Sequence, residues 1–347
     1  MSLSPTQSLQ VASNAMAQGM LRILGFDPAS LAPSEWQHQL RAKLVELLRM
    51  PPRPCHPKAD VVDQVDCGDY VRYRIHLHAC DGVILPAYML QPKHVPPPWP
   101  VMLALAGHGP GMIIPVDLPP EGYDRQTMIV EGQRDYAVQA VRQGMLALTP
   151  ELRGFGELML SDVQPVNGNT CLHLACRYSQ AGRTLMGMRM SDLVQWVDWL
   201  ANHVDVRKDS ICATGNSGGG AAALFLAALD ERIRVAVPSC YFCTWADSIM
   251  SIHHCPCNYV PDLGFYAECW DIAGLIAPRP MLIVAGDKDE IFPIAGVRKA
   301  YACLQDIYET FGAKDNLELY VGDGGHRYYT QPVWPFVREQ LARRVTV

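Results

Sequence analysis

A chain of 347 residues, 49% hydrophobic and 18% charged, can bury a large core and lacks the composition of disordered or fibrous proteins. Its formal charge of −6, with no Lys/Arg-rich run, offers no basic footprint for a phosphate backbone, so nucleic acid is not an expected partner. The first twenty residues lack the basic region and continuous apolar core of a signal peptide, and no apolar run reaches the length of a membrane span. A cytoplasmic protein that does not engage membranes is expected.

Residues 1–60 read as an N-terminal helical extension, with helices over about 5–24 and 34–49 and the proline cluster PPRPCHP closing it. These helices could pair copies of the chain, so a homo-oligomer is an expectation of position. From 68 to 91, DYVRYRIHLHA and GVILPAYMLQP flank the turn Cys80-Asp81-Gly82 and form a hairpin pattern.

From residue 100 onward, short continuously apolar runs alternate with amphipathic segments, the pattern of strands buried on both faces of a parallel sheet. The runs are PVMLALAG, GMLALTP, SICATG, IRVAVPS, PMLIVAG and LELYVG. Between them, Met190, Leu193, Val194, Val197, Leu200 and Ala201 share one helix face, as do Ile294, Val297, Tyr301, Leu304 and Tyr308. An open, mostly parallel α/β sheet with helices on both faces is therefore expected over 61–347. Two excursions, near 155–188 and 241–279, interrupt the alternation and are placed to shape a pocket.

Twelve cysteines are present, most inside apolar segments, as Cys212 and Cys303 are. There they behave as small hydrophobes, which suits a reducing compartment better than a disulfide framework.

Gly215-Asn216-Ser217-Gly218-Gly219 follows an apolar strand and precedes a small-residue helix, the context a nucleophile elbow requires. A serine hydroxyl needs a base to take its proton, and the base needs an acid to orient it. In this architecture the order along the chain is serine, acid, histidine. Asp289 follows the run PMLIVAG and His326 follows LELYVG, so Ser217, Asp289 and His326 are the candidate triad. Asp287 sits too close to its strand end, and Asp323 lies beside His326 in sequence without an assured reach to the correct ring nitrogen. The Gly218 N–H at a helix start is one candidate oxyanion donor. The second falls to the backbone of His108 or Gly109, because Pro110 has no N–H.

His253-His254-Cys255-Pro256-Cys257 carries potential zinc ligands, but their spacing is too tight for a usual structural site, and a loop lining the pocket is expected instead. Tyr123, Tyr241, Trp245, Trp270 and His254 are the candidate pocket residues. The charges of Glu151, Arg153 and Glu157 are expected to pair locally. No cofactor and no metal is required.

Beyond the elbow, ELRGFGE (151–157), the GRTLMG run and its helix (182–201), HHCPCNYVPDLG (253–264) and DIAGLIAPRPMLIVAGDKDEIFP (271–293) make the chain resemble α/β-hydrolases of the acetyl xylan esterase and dienelactone hydrolase-like group. The resemblance spans about 68–345. It implies an α/β-hydrolase fold, a serine esterase acting on a small-molecule ester, Asp289 as the acid and His108 as the second backbone donor. Dienelactone hydrolases carry cysteine where Ser217 stands, and Arg327 replaces the glutamate that often follows the histidine in acetyl xylan esterases. A peptidase of the oligopeptidase type and a non-catalytic hydrolase-like binding protein are the alternatives. Residues 1–67 cannot encode the propeller that such peptidases carry, and no triad member is missing.

Overall fold

The computed structural model describes residues 4–52, 57–203 and 205–343; part of the proline cluster, residues 53–56, lies outside them. Among the described residues nine strands form one sheet: β1 Lys58–Asp66, β2 Tyr70–His78, β3 Ile84–Pro92, β4 Trp99–Leu105, β5 Leu146–Pro150, β6 Val206–Asn216, β7 Ile233–Ser239, β8 Met281–Gly286 and β9 Leu317–Gly322. Their spatial order is β1-β2-β3-β5-β4-β6-β7-β8-β9. The pairings from β1 to β5 are antiparallel and those from β5 through β9 are parallel.

The helices are α1 Pro5–Gln18, α2 Pro33–Leu48, α3 Tyr136–Arg142, α4 Cys171–Gln180, α5 Leu185–Asn202, α6 Gly218–Leu229, α7 Leu263–Tyr266, α8 Cys269–Gly274, α9 Ile294–Thr310 and α10 Thr330–Ala342. Side chains alternate across each strand, so the sheet has two cores. In β4, Val101, Leu103 and Leu105 join α2, α5, α6, α8 and α9 on one face. Met102 and Ala104 join α3 and α10 on the other.

Every apolar run read from residue 100 onward is a strand; from β4 to β8 burial on both faces leaves no polar position in the run to blur the pattern, whereas the edge strand β9 is only half-buried and carries Glu318 exposed. The edge strand β1 was not anticipated: its residues are almost all exposed and its register shifts between Val61 and Asp63, so it shows no clean alternation. Helix α1 stops at Gln18, short of the expected 24, where Gly19 caps it, and none of its residues is buried.

Helix α2 behaves differently from α1. Trp36, Leu40, Leu44 and Leu48 are almost fully buried in the same core as the sheet. The Gln37 amide donates to the carbonyls of Gly274 and Ala277, and the Arg41 guanidinium to those of Ala228 and Leu275. Residues 33–48 thus complete the helical layer on that face. Among the described residues no helix is long and apolar enough to cross a membrane.

Candidate active site

Strand β6 runs into α6 with a single residue between them, Ser217, held at φ 57° and ψ −119°. That conformation is costly for a residue with a Cβ. It is held by the Ser217 N–H, which donates to the Ser239 carbonyl at 2.9 Å, and by the Ser217 carbonyl, which accepts the N–H of Ala221 at 2.9 Å. Glycine is required at both flanks. A Cβ on Gly219 would lie 1.9 Å from the Leu105 carbonyl oxygen, and one on Gly215 would lie 2.5 Å from the same atom. The tight elbow therefore rests on the end of β4.

The loop leaving β4 carries His108, whose backbone N lies 3.5 Å from the position a Cβ on Gly218 would take. Gly218 opens α6, and the first N–H groups of a helix have no partner within it. The loop bearing His108 thus packs against the first residue of α6, next to Ser217, where the positive end of α6 favours negative charge.

Asp289 lies in the loop after β8 and is 4% exposed. Its Oδ1 accepts the N–H groups of Ile291 at 2.9 Å and Phe292 at 3.1 Å, while Oδ2 is 2.8 Å from His326 Nδ1. Burial works against the Asp289 charge, but the His326 hydrogen bond and charge, joined by the two N–H groups, outweigh it and hold the carboxyl below its ordinary range. The Phe292 ring stacks on His326, centroids 5.9 Å apart.

Ser217 and His326 line one cavity of about 510 Å³ together with Gly107, His108, Gly109 and Gly218. Both sequence excursions contribute to its wall, through Asn167, Asn169 and Leu172 from the first and Tyr241, His254 and Pro256 from the second. A third wall was not anticipated: the segment between β4 and α3 supplies Ile114, Met128 and Arg134. The Arg134 Nε is buried without a hydrogen-bond partner.

Of the candidate pocket residues, Tyr241 and His254 line the cavity; burial depresses the His254 pKa. Tyr123, Trp245 and Trp270 do not. Tyr123 is 58% exposed on a turn that follows two prolines. Trp245 is buried, its indole N–H donating to the Ala267 carbonyl, and Trp270 lies under the Arg22 guanidinium.

The charges of the 151–157 loop do not pair with each other. Glu151, 1% exposed, accepts the N–H groups of Met112, Leu152 and Glu157 and so ties that loop to the one leaving β4. Burial pushes its pKa up to about 7 against those hydrogen bonds. Arg153 forms a buried bidentate pair with Asp192 at 2.6 and 2.7 Å and reaches Asp81 as well. Glu157 pairs with Arg74.

Among the described residues ten cysteines are free thiols, whereas Cys80 is disulfide-bonded. Three of the free thiols gather with His108 at the cavity wall: His108, Cys171, Cys255 and Cys257 each offer one donor atom, all within 4.8 Å of one another. Local spacing could not reveal this group, because only two of its members are near neighbours in sequence.

A family model described as Abhydrolase family matches residues 11–318. A Bacillus subtilis (strain 168) protein provisionally named a hydrolase, YtaP, is 29% identical over 256 residues, 70% of this chain and 77% of that protein. Among solved structures, a Bacteroides fragilis protein provisionally named an acetyl xylan esterase superposes with a TM-score of 0.76 at 18% identity, covering 96% of this chain and 86% of that one. A glucuronoyl esterase from Solibacter usitatus superposes with a TM-score of 0.65 at 14% identity, covering 88% and 93%. These similarities agree with the α/β-hydrolase fold built from the strands above.

Proposed function

The chain belongs to the Abhydrolase family, and from that premise we propose that it is a serine hydrolase cleaving carboxylic esters through an acyl-enzyme on Ser217. The observation that carries this reading is the contact of Asp289 Oδ2 with His326 Nδ1 at 2.8 Å, with His326 and the elbow serine on one cavity wall. With Nδ1 donating to the carboxylate, Nε2 is the ring's free base.

His326 Nε2 takes the Ser217 proton as Oγ attacks the ester carbonyl. The developing oxyanion is held by the N–H groups of Gly218 and His108. Collapse breaks the C–O bond, and the proton on His326 leaves with the alcohol. Water then repeats the sequence on the acyl-enzyme, releasing the acid and restoring Ser217. The names of the structurally similar proteins, acetyl xylan esterase and glucuronoyl esterase, support ester over amide substrates.

The test is a panel of p-nitrophenyl esters, acetylated sugars and lactones assayed with the wild type and Ser217→Ala, alongside labelling by a fluorophosphonate. The expected result is esterase activity that vanishes with Ser217→Ala and a covalent adduct on Ser217. Full activity in that variant, or an adduct on another residue, overturns the assignment.

A further inference from the structure

We propose that His108, Cys171, Cys255 and Cys257 form a Cys3His site for one zinc ion within the cavity wall, to which His108 and Cys255 contribute. The four donors come from three separate segments: the loop after β4, the first residue of α4 and the loop preceding α7. His108 Nε2 is 3.2 Å from Cys257 Sγ, Cys257 Sγ is 3.3 Å from Cys255 Sγ, and no two of the four donor atoms are more than 4.8 Å apart. Tetrahedral zinc, with Zn–S about 2.3 Å and Zn–N about 2.0 Å, separates such donors by about 3.5–3.8 Å. Side-chain adjustments of less than about 1 Å reach that geometry. Three thiolates and an imidazole are a usual donor set for structural zinc and a poor one for magnesium or calcium.

An independent observation concerns charge. Arg189, 2% exposed, donates to the Arg153 carbonyl at 2.9 and 2.6 Å and to Cys171 Sγ at 3.1 Å; none of these bonds goes to a carboxylate. The buried carboxylate whose charge interacts with Arg189, Asp192, is already bidentate to Arg153, and the Arg189 guanidinium touches the Cys171 thiol instead. Three thiolates and one zinc ion carry a net charge of −1, and Arg189 brings the group to neutrality. Binding moves three thiol protons to solvent and forms three Zn–S bonds and one Zn–N bond.

None of the four donors belongs to the proposed triad. Coordination through Nε2 fastens the His108 ring to the loop carrying Cys255 and Cys257 and leaves the His108 backbone, which lies against Gly218, uncoordinated. The metal would clamp the loop that bears the proposed oxyanion donor to the loop carrying Cys255 and Cys257, a structural role that stands whether or not the esterase reading does.

The test is metal analysis of the full-length, tag-free protein after equilibration with zinc and dialysis. Close to one zinc per chain is expected, with a fall of at least about tenfold in both Cys171→Ser and Cys257→Ser. Cobalt(II) exchanged into the wild type is expected to show thiolate charge-transfer and tetrahedral d–d bands, a readout that does not depend on the variants folding. Negligible zinc in the wild type, a disulfide among these cysteines by intact mass, zinc retained in both variants, or a cobalt spectrum without thiolate bands each overturns the proposal. Iron or copper held in preference to zinc overturns the assignment of the metal.

Discussion

Replacing Asp289 with asparagine is expected to abolish most activity while sparing the fold, and the local hydrogen bonds give the reason. Oδ1 of Asp289 accepts from the N–H groups of Ile291 and Phe292, while Oδ2 faces His326 Nδ1. In Asp289→Asn the amide oxygen must stay on the two N–H donors, because an NH₂ group there would oppose donor to donor. The NH₂ group is then forced toward His326, where it can only donate, so Nδ1 becomes the acceptor and the ring proton moves to Nε2. That is the nitrogen proposed to receive the Ser217 proton. The wrong tautomer costs roughly 10³–10⁴ in kcat, or about 4–5 kcal/mol of transition-state stabilisation. Both backbone hydrogen bonds survive, so the folding free energy should fall by no more than about 2 kcal/mol. Steady-state kcat with a p-nitrophenyl ester and urea unfolding of the same sample measure the two effects. A variant within tenfold of wild-type kcat would refute the assigned role of Asp289.

The other expectations concern stability. Ser217 sits at φ 57°, so Ser217→Gly should be more stable than Ser217→Ala by about 1 kcal/mol in urea unfolding; equal midpoints would show that the elbow stores no strain. Glu151, with its pKa pushed up to about 7 by burial, binds more protons folded than unfolded between about pH 4.5 and 7. Its stabilisation is present below that window and lost as pH rises through it, by up to about 3 kcal/mol. Glu151→Gln should therefore flatten the decline in unfolding free energy between pH 5 and 8, and an unchanged slope would contradict the raised pKa. Trp36, 1% exposed and donating its indole N–H to the Leu24 carbonyl, anchors α2 in the core. Trp36→Ala should cost about 3–5 kcal/mol, and a loss below 1 kcal/mol would show that α2 is dispensable.

What was legible in the sequence was local. Strands such as 100–107 and 280–286 announce themselves because burial on both faces needs an unbroken apolar run, and the elbow because two glycines must lie against the end of β4. The order of Ser217, Asp289 and His326 could also be read, since the parallel topology delivers successive strand ends to one edge. Side-chain direction was not legible: Tyr123 and Trp245 are as aromatic as Tyr241, yet one projects into solvent and another faces the core. Nor was the junction of α2 with the sheet, the tie from Glu151 to the loop leaving β4, or the meeting of His108, Cys171, Cys255 and Cys257. The sequence by itself determined the alternation of elements and the candidate chemistry at the strand ends, because both follow from patterns a few residues long. Only the tertiary structure decided which distant side chains share a cavity wall or a cluster, because that depends on how loops from different strand ends pack against one another.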